Sequence, residues 1–108
     1  MKTPAMEIAK LDRDLARKGQ NVALRRGATG AVYTMRGFVR GYKIEKVVGL
    51  VTLADRKVIL SPSGLSVFGV PKNGDDCSIA GSLGKVQEAE PIHYEDVLIR
   101  VEMRVRMT

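Results

Sequence analysis

The chain has 108 residues, 44% hydrophobic and 28% charged, a balance that suits a folded domain with one core and is too short for two. One cysteine excludes an internal disulfide, and no stretch approaches the about 18 apolar residues of a membrane span or forms an apolar leader, so a protein of the reducing cytoplasm is expected. The net charge of +6 favours an acidic or polyanionic partner through long-range attraction, while 5% aromatics without tryptophan argue against a base-stacking platform.

Thr3-Pro4 is a helix entry, because threonine accepts from an orphan N–H and proline loses nothing at the first helical position. Ile8, Leu11 and Leu15 recur at i, i+3, i+7 with Ala5, Ala9 and Ala16 alongside, which predicts an amphipathic helix over 3–18 with Gly19 at its end. Its charges, Lys10, Asp12, Arg13, Asp14, Arg17 and Lys18, mix signs and read as a solvated face.

Asn21 to Arg26 alternates, with Val22 and Leu24 facing in, and predicts a first strand followed by a turn at Gly27-Ala28-Thr29-Gly30. No Gly-Lys-Ser/Thr follows, so this is not a phosphate loop. Ala31 to Val39 is the second strand, with Val32, Tyr33, Met35, Phe38 and Val39 in imperfect alternation. Arg36 to Tyr42 has the basic-glycine-aromatic order of an RNA-recognition strand, but the second aromatic strand and the βαββαβ order are missing.

Tyr42 to Leu53 reads two ways. Val47-Val48-Gly49-Leu50-Val51, behind Lys43, Glu45 and Lys46, suits either a buried strand or a long surface loop hinged at Gly41 and Gly49. Lys57 to Leu60 is a compact strand stopped by Ser61-Pro62, and Leu65 and Phe68 anchor the irregular connection that follows.

The last third predicts an antiparallel meander, since its strands are joined by loops too short for crossovers. Pro71 to Asp75 is a tight turn, Cys77 to Ala80 a short strand, and Ser82-Leu83-Gly84 a second turn. Lys85 to Glu90 is a strand ended by Pro91, and His93 and Tyr94-Glu95-Asp96 lie in the next turn. In the final strand Val97, Ile99, Val101, Met103 and Val105 face in, while Arg100, Glu102, Arg104 and Arg106 face water. The expected fold is mainly β: one domain over 1–108, with an N-terminal helix over 3–18, a small antiparallel barrel or sandwich of about six strands over 21–106, and a long mobile loop over about 41–54.

Catalytic constellations are missing from this pattern. His93 stands alone, Cys77 alternates with Ile79 as a small core residue, and Asp75-Asp76 suits a turn cap. One cysteine and one histidine do not make a zinc site. No enzyme, cofactor or metal is therefore expected. The basic residues Arg25, Arg26, Arg36, Arg40, Lys43, Lys46, Arg56 and Lys57 either disperse over a solvated surface or line one rim suited to an acidic protein or duplex phosphates.

Several stretches in order, Val22 to Arg26, Phe38 to Tyr42, Asp55 to Pro62, Pro71 to Asp75, Glu90-Pro91-Ile92 and Ile99 to Arg106, resemble the small head-tail joining proteins of tailed bacteriophages and prophages, also called neck, connector or stopper proteins. The similarity spans roughly residues 20 to 106 and consists of strand and turn signatures. It implies a β-barrel-like structural virion protein with an N-terminal helix and a mobile loop. Copies would be monomeric in isolation and form a ring below the portal, retaining packaged double-stranded DNA and offering a tail-docking surface. Implied partners are a portal or adaptor ring and tail-completion proteins, with contact to DNA and none to membrane. Its place would be the virion neck, after assembly in the bacterial cytoplasm.

One departure is that Ala80 to Gly84 stands where the family pattern has an Asp-Gly hairpin. No fixed DNA-contacting set carries over, so the resemblance maps only an assembly surface: Arg36, Arg40, Lys43, Lys46, Val47, Val48, Leu50, Val51, Arg56 and Lys57. The alternative reading is a small OB-like nucleic-acid-binding barrel, which would need Tyr33, Phe38, Tyr42, Phe68 and Tyr94 gathered on one sheet face.

Overall fold

The computed structural model describes residues 3–26, 30–41, 55–66 and 68–107. Helix α1 (Pro4–Lys18) starts as its sequence predicts, with Thr3 Oγ1 accepting from the Met6 N–H at 3.2 Å. Arg17 and Lys18 close its last turn, where positive charge complements the helix dipole, and the Gly19 N–H donates to the Leu15 carbonyl. Leu15 is the buried anchor of the apolar stripe; Ile8 and Leu11 are half-buried.

Six antiparallel strands follow: β1 (Gln20–Arg25), β2 (Val32–Gly41), β3 (Asp55–Leu60), β4 (Asp76–Ile79), β5 (Ser82–Tyr94) and β6 (Val97–Met107). Their order around the sheet is β1-β2-β3-β6-β5-β4, and β4 pairs back onto β1 with Val22 opposite Ile79, so the sheet closes into a barrel and is not a sandwich. Period 2 selects the lining. Val22, Leu24, Val58, Leu60, Val86, Val101, Met103 and Val105 are sealed inside, joined by Leu65 and Phe68 from the connection after β3. Burial of each such side chain contributes about 1.5–3 kcal/mol. Gly37 makes room in this lining: a Cβ there would stand 2.8 Å from Leu60 Cδ2 and 3.2 Å from Val22 Cγ2.

The meander differs in detail from its sequence-based expectation. Ser82-Leu83-Gly84 is not a turn but the start of β5; the turn is Ala80-Gly81, with φ of 50° and 87°, the two positive values that a type I′ hairpin requires. Gly84 belongs to the strand because it points inward, where a Cβ would meet Val105 Cγ1 at 2.8 Å. Pro91 does not end β5, which runs on to Tyr94. Beyond Val86, whose backbone still bonds to Gly74 and Asp75, β5 has β6 as its ladder partner, and such an open edge tolerates a residue without an N–H. His93 consequently lies in the strand opposite Leu98, and the turn is Glu95-Asp96.

The final strand also departs from strict alternation. Val101, Met103 and Val105 face the core as expected, but Val97 is exposed and Ile99 half-buried, because β3 stops pairing at Val101 and a bulge shifts the register around Ile92 and His93. Residues 91–94 and 97–100 therefore continue past the barrel as a two-stranded ribbon. Its Glu95-Asp96 turn has φ of 51° and 63° without glycine, a conformation costing about 1–2 kcal/mol per residue. Arg104 faces outward as expected yet is buried, for a reason that lies in β3.

Candidate assembly surface

Of the ten residues assigned to an assembly surface, Lys43, Lys46, Val47, Val48, Leu50 and Val51 lie outside the described residues, as do the mobile-loop assignment over about 41–54, apart from Gly41, and the Gly27 to Thr29 part of the predicted turn. The other four fall on β2 and β3. Arg36 and Arg40 share the outer face of β2, and Arg40 is the cross-strand partner of Lys57 on β3. Arg56 has the opposite parity and stands at the barrel mouth beside Gly41, its Nη1 donating to the Asp55 carbonyl at 3.0 Å.

Most of the central basic residues are engaged inside the chain. Arg36 Nε donates to the Leu15 carbonyl at 3.2 Å and its Nη1 to Asn21 Oδ1 at 3.2 Å, which staples α1 to β2. Lys57 Nζ meets Glu102 Oε1 at 3.0 Å, and Arg100 Nε meets the other oxygen of that carboxylate at 2.9 Å. The hydrogen bond from Lys57, reinforced by Arg100, holds the Glu102 carboxyl below its usual range. Arg25 binds Asp76 at 2.7 Å, and Arg26 binds Asp75 at 3.2 Å while lying 4.5 Å from the Phe68 ring centroid. These residues act as struts of the barrel surface; Arg40, Arg56 and Lys57 are the members gathered near the mouth.

The mouth is organised by Asp55, which the sequence reading passed over. Its carboxylate is fully buried and accepts from Arg104 Nη1 at 2.8 Å, from Arg106 Nε at 2.8 Å and from Arg106 Nη2 at 3.3 Å. Asp55 in turn favours the charged form of both guanidiniums. Glu88 adds a longer contact to Arg104 Nε at 3.4 Å. The sequence held a signal for this cluster. Arginines two apart on one strand share a face, so Arg104 and Arg106 can converge on one carboxylate of a neighbouring strand. Because Gly41 pairs with Arg56 and Asp55 with Arg106, both ends of the 42–54 connection leave from a hydrogen-bonded, ion-paired base.

Asp75 and Asp76 engage different partners, and only Asp75 is the expected turn cap, since Asp76 is the first residue of β4. Asp75 Oδ2 accepts from the Lys72 N–H at 2.8 Å, capping the Pro71 to Asp75 turn, while Asp76 is shared by Lys85 and Arg25, which hold its carboxyl below the usual range. Cys77 is fully buried, and desolvation pushes its thiol up to about 12, the behaviour of a core residue. Tyr33 and Phe68 pack edge to face at 5.8 Å, and Tyr94 stands at the ribbon tip. No group of three or more His, Cys, Asp or Glu side chains suited to a metal occurs among the described residues. No protein-family model and no curated protein matches the chain.

Proposed function

We propose that this chain is a structural virion protein that joins a bacteriophage or prophage head to its tail. Many copies form a ring below the portal, and the ring helps to retain packaged DNA and offers the surface on which the tail docks. The observation that supports this reading best is the base of the 42–54 connection. A closed barrel with an N-terminal helix holds both ends of that connection on paired strands, with Asp55, Arg104 and Arg106 locking the root. That is the division of labour the resemblance implies, a rigid scaffold plus one long segment available to neighbouring components, and it needs no pocket.

In this reading the protein is monomeric when dilute and assembles on the portal or adaptor ring, and Arg40, Arg56 and Lys57 belong to the face that meets those components or the DNA in the channel. A first check is the genomic neighbourhood, where portal, capsid and tail genes are expected. The decisive experiment deletes the coding sequence and examines particles after induction. Filled heads without tails, leaking DNA and restored by the gene in trans, are the expected result; tailed, infectious particles overturn the proposal.

A further inference from the structure

The charges of α1 are mixed in sequence but sorted in space. Lys10, Arg13, Arg17 and Lys18 are exposed, whereas Glu7, Asp12 and Asp14 are half-buried, Asp12 accepting from Ser63 Oγ at 2.7 Å. Met6, Lys10, Arg13 and Arg17 recur at i, i+4, i+7 and i+11, a stripe on the side of the helix away from buried Leu15. Met6 is 56% exposed. None of these cations has a carboxylate partner among the described residues, in contrast to Arg25, Arg26, Lys57, Lys85 and Arg104 on the barrel.

The opposite charge is gathered on the ribbon. Between Lys85 and Arg100 the chain has Glu88, Glu90, Glu95 and Asp96 but no lysine or arginine. Glu95 and Asp96 form the exposed tip, without ion pairs among the described residues, and are flanked by exposed Tyr94 and Val97. Their positive φ values belong to a turn in which Asn-Gly would sit without strain, so the tip keeps two carboxylates at a conformational cost.

We infer that these two surfaces are the halves of one contact between copies of this chain: the Glu95-Asp96 ribbon tip of one copy docks on the Lys10-Arg13-Arg17 stripe of the next. The inference rests on the ring reading above and supplies its interface. Lys10 and Arg17 are about 10 Å apart along the axis at about 1.5 Å per residue, a span that a two-residue turn enters while Tyr94 and Val97 lie against Met6. The stripe faces away from the barrel on which its own helix packs, so the ribbon that reaches it belongs to another molecule. The two halves differ, so the contact is heterologous. It repeats from copy to copy and closes into a ring where the rotation allows. Contacts of this type form fast and weaken with salt.

The test is a charge swap on purified protein without heads or tails, read by sedimentation at high concentration in about 50 mM salt, where surface charges act over about 14 Å or less. Wild type is expected to associate, and about 500 mM salt to abolish the association. Arg13→Glu with Arg17→Glu should prevent self-association, as should Glu95→Lys with Asp96→Lys, while both keep the wild-type circular-dichroism spectrum. Mixing the two variants restores both halves, and association should return at least about tenfold above either alone. A mixture that stays monomeric overturns the inference. So does a wild type that ignores its own copies and instead binds a 20-base-pair duplex through the stripe, which would assign the stripe to nucleic acid. Failure here leaves the tail-joining result standing, and normal particles after gene deletion leave this contact standing.

Discussion

Asp55 and Arg104 meet diagonally across the β3–β6 ladder at 2.8 Å, both on the outer side of the barrel and both nearly sealed from water. A charge in that position is tolerated only while its partner is present. Asp55→Asn keeps the shape but takes from the buried Arg104 guanidinium the buried carboxylate it meets at 2.8 Å, and should destabilise the fold by about 3–5 kcal/mol. The apolar pair Asp55→Leu with Arg104→Met should recover most of that loss, because neither residue then has a charge to desolvate. Urea denaturation midpoints of the three proteins check the order.

Acid should weaken the fold through Glu102 and Asp76. Lys57 and then Arg100 depress the first carboxyl, and Lys85 and then Arg25 the second, below their ordinary values of 4.5 and 3.8. Between each depressed value and the ordinary one the unfolded chain binds more protons than the folded chain, so stability rises with pH across that interval. The contribution is complete above about pH 4.5 and is lost as pH falls through the depressed values. Glu102→Gln with Asp76→Asn should flatten this acid limb in midpoints measured from neutral pH downward. An unchanged limb would place the titration elsewhere.

The ribbon turn invites a substitution that strengthens the protein. Glu95→Asn with Asp96→Gly supplies the residues that adopt positive φ most readily and should stabilise by about 1 kcal/mol, visible as a raised melting temperature. The same protein lacks both tip carboxylates, so stability and self-association should move in opposite directions.

Inside the barrel, Val101→Asp buries a carboxylate with no partner and should cost about 2–5 kcal/mol. Gly37→Ala pushes a methyl against Leu60 and Val22 and should cost about 1–3 kcal/mol. Cys77 offers a reporter for both. Fully buried, with its thiol pushed up to about 12, it should resist a thiol-reactive dye in the native protein at neutral pH and react at the rate of opening in the destabilised variants.

Period and punctuation carried most of the fold. Thr3-Pro4 and the Ile8, Leu11, Leu15 spacing marked α1, and the alternation around Val22, Leu24, Val58, Val101, Met103 and Val105 marked the lining, because burial imposes those periods directly. Pro91 misled because proline forbids pairing on one side of a strand only, and a sequence does not say which side is open. Ser82 to Gly84 misled because its glycine answers a tertiary demand, close approach to Val105, and not a turn. At the candidate site the basic residues were visible, but the carboxylates that engage them lie on other strands: Asp76 for Arg25, Glu102 for Lys57. Such pairings follow from register, which local pattern leaves open. The same holds for α1, where sign mixing along the chain concealed a sorted surface.

The pairing of Val22 with Ile79 joins residues more than half the chain apart, and nothing local prepares it. The β4–β5 and β5–β6 hairpins have two-residue turns and can form early, whereas β1 must wait, edge open, until β4 exists to receive it. On a ribosome this places the hazardous interval before the last third emerges, when β1 and β2 display unpaired backbone to other nascent chains. Closure of the barrel is then a late event, and the longer it takes, the longer that unpaired edge stays open to aggregation.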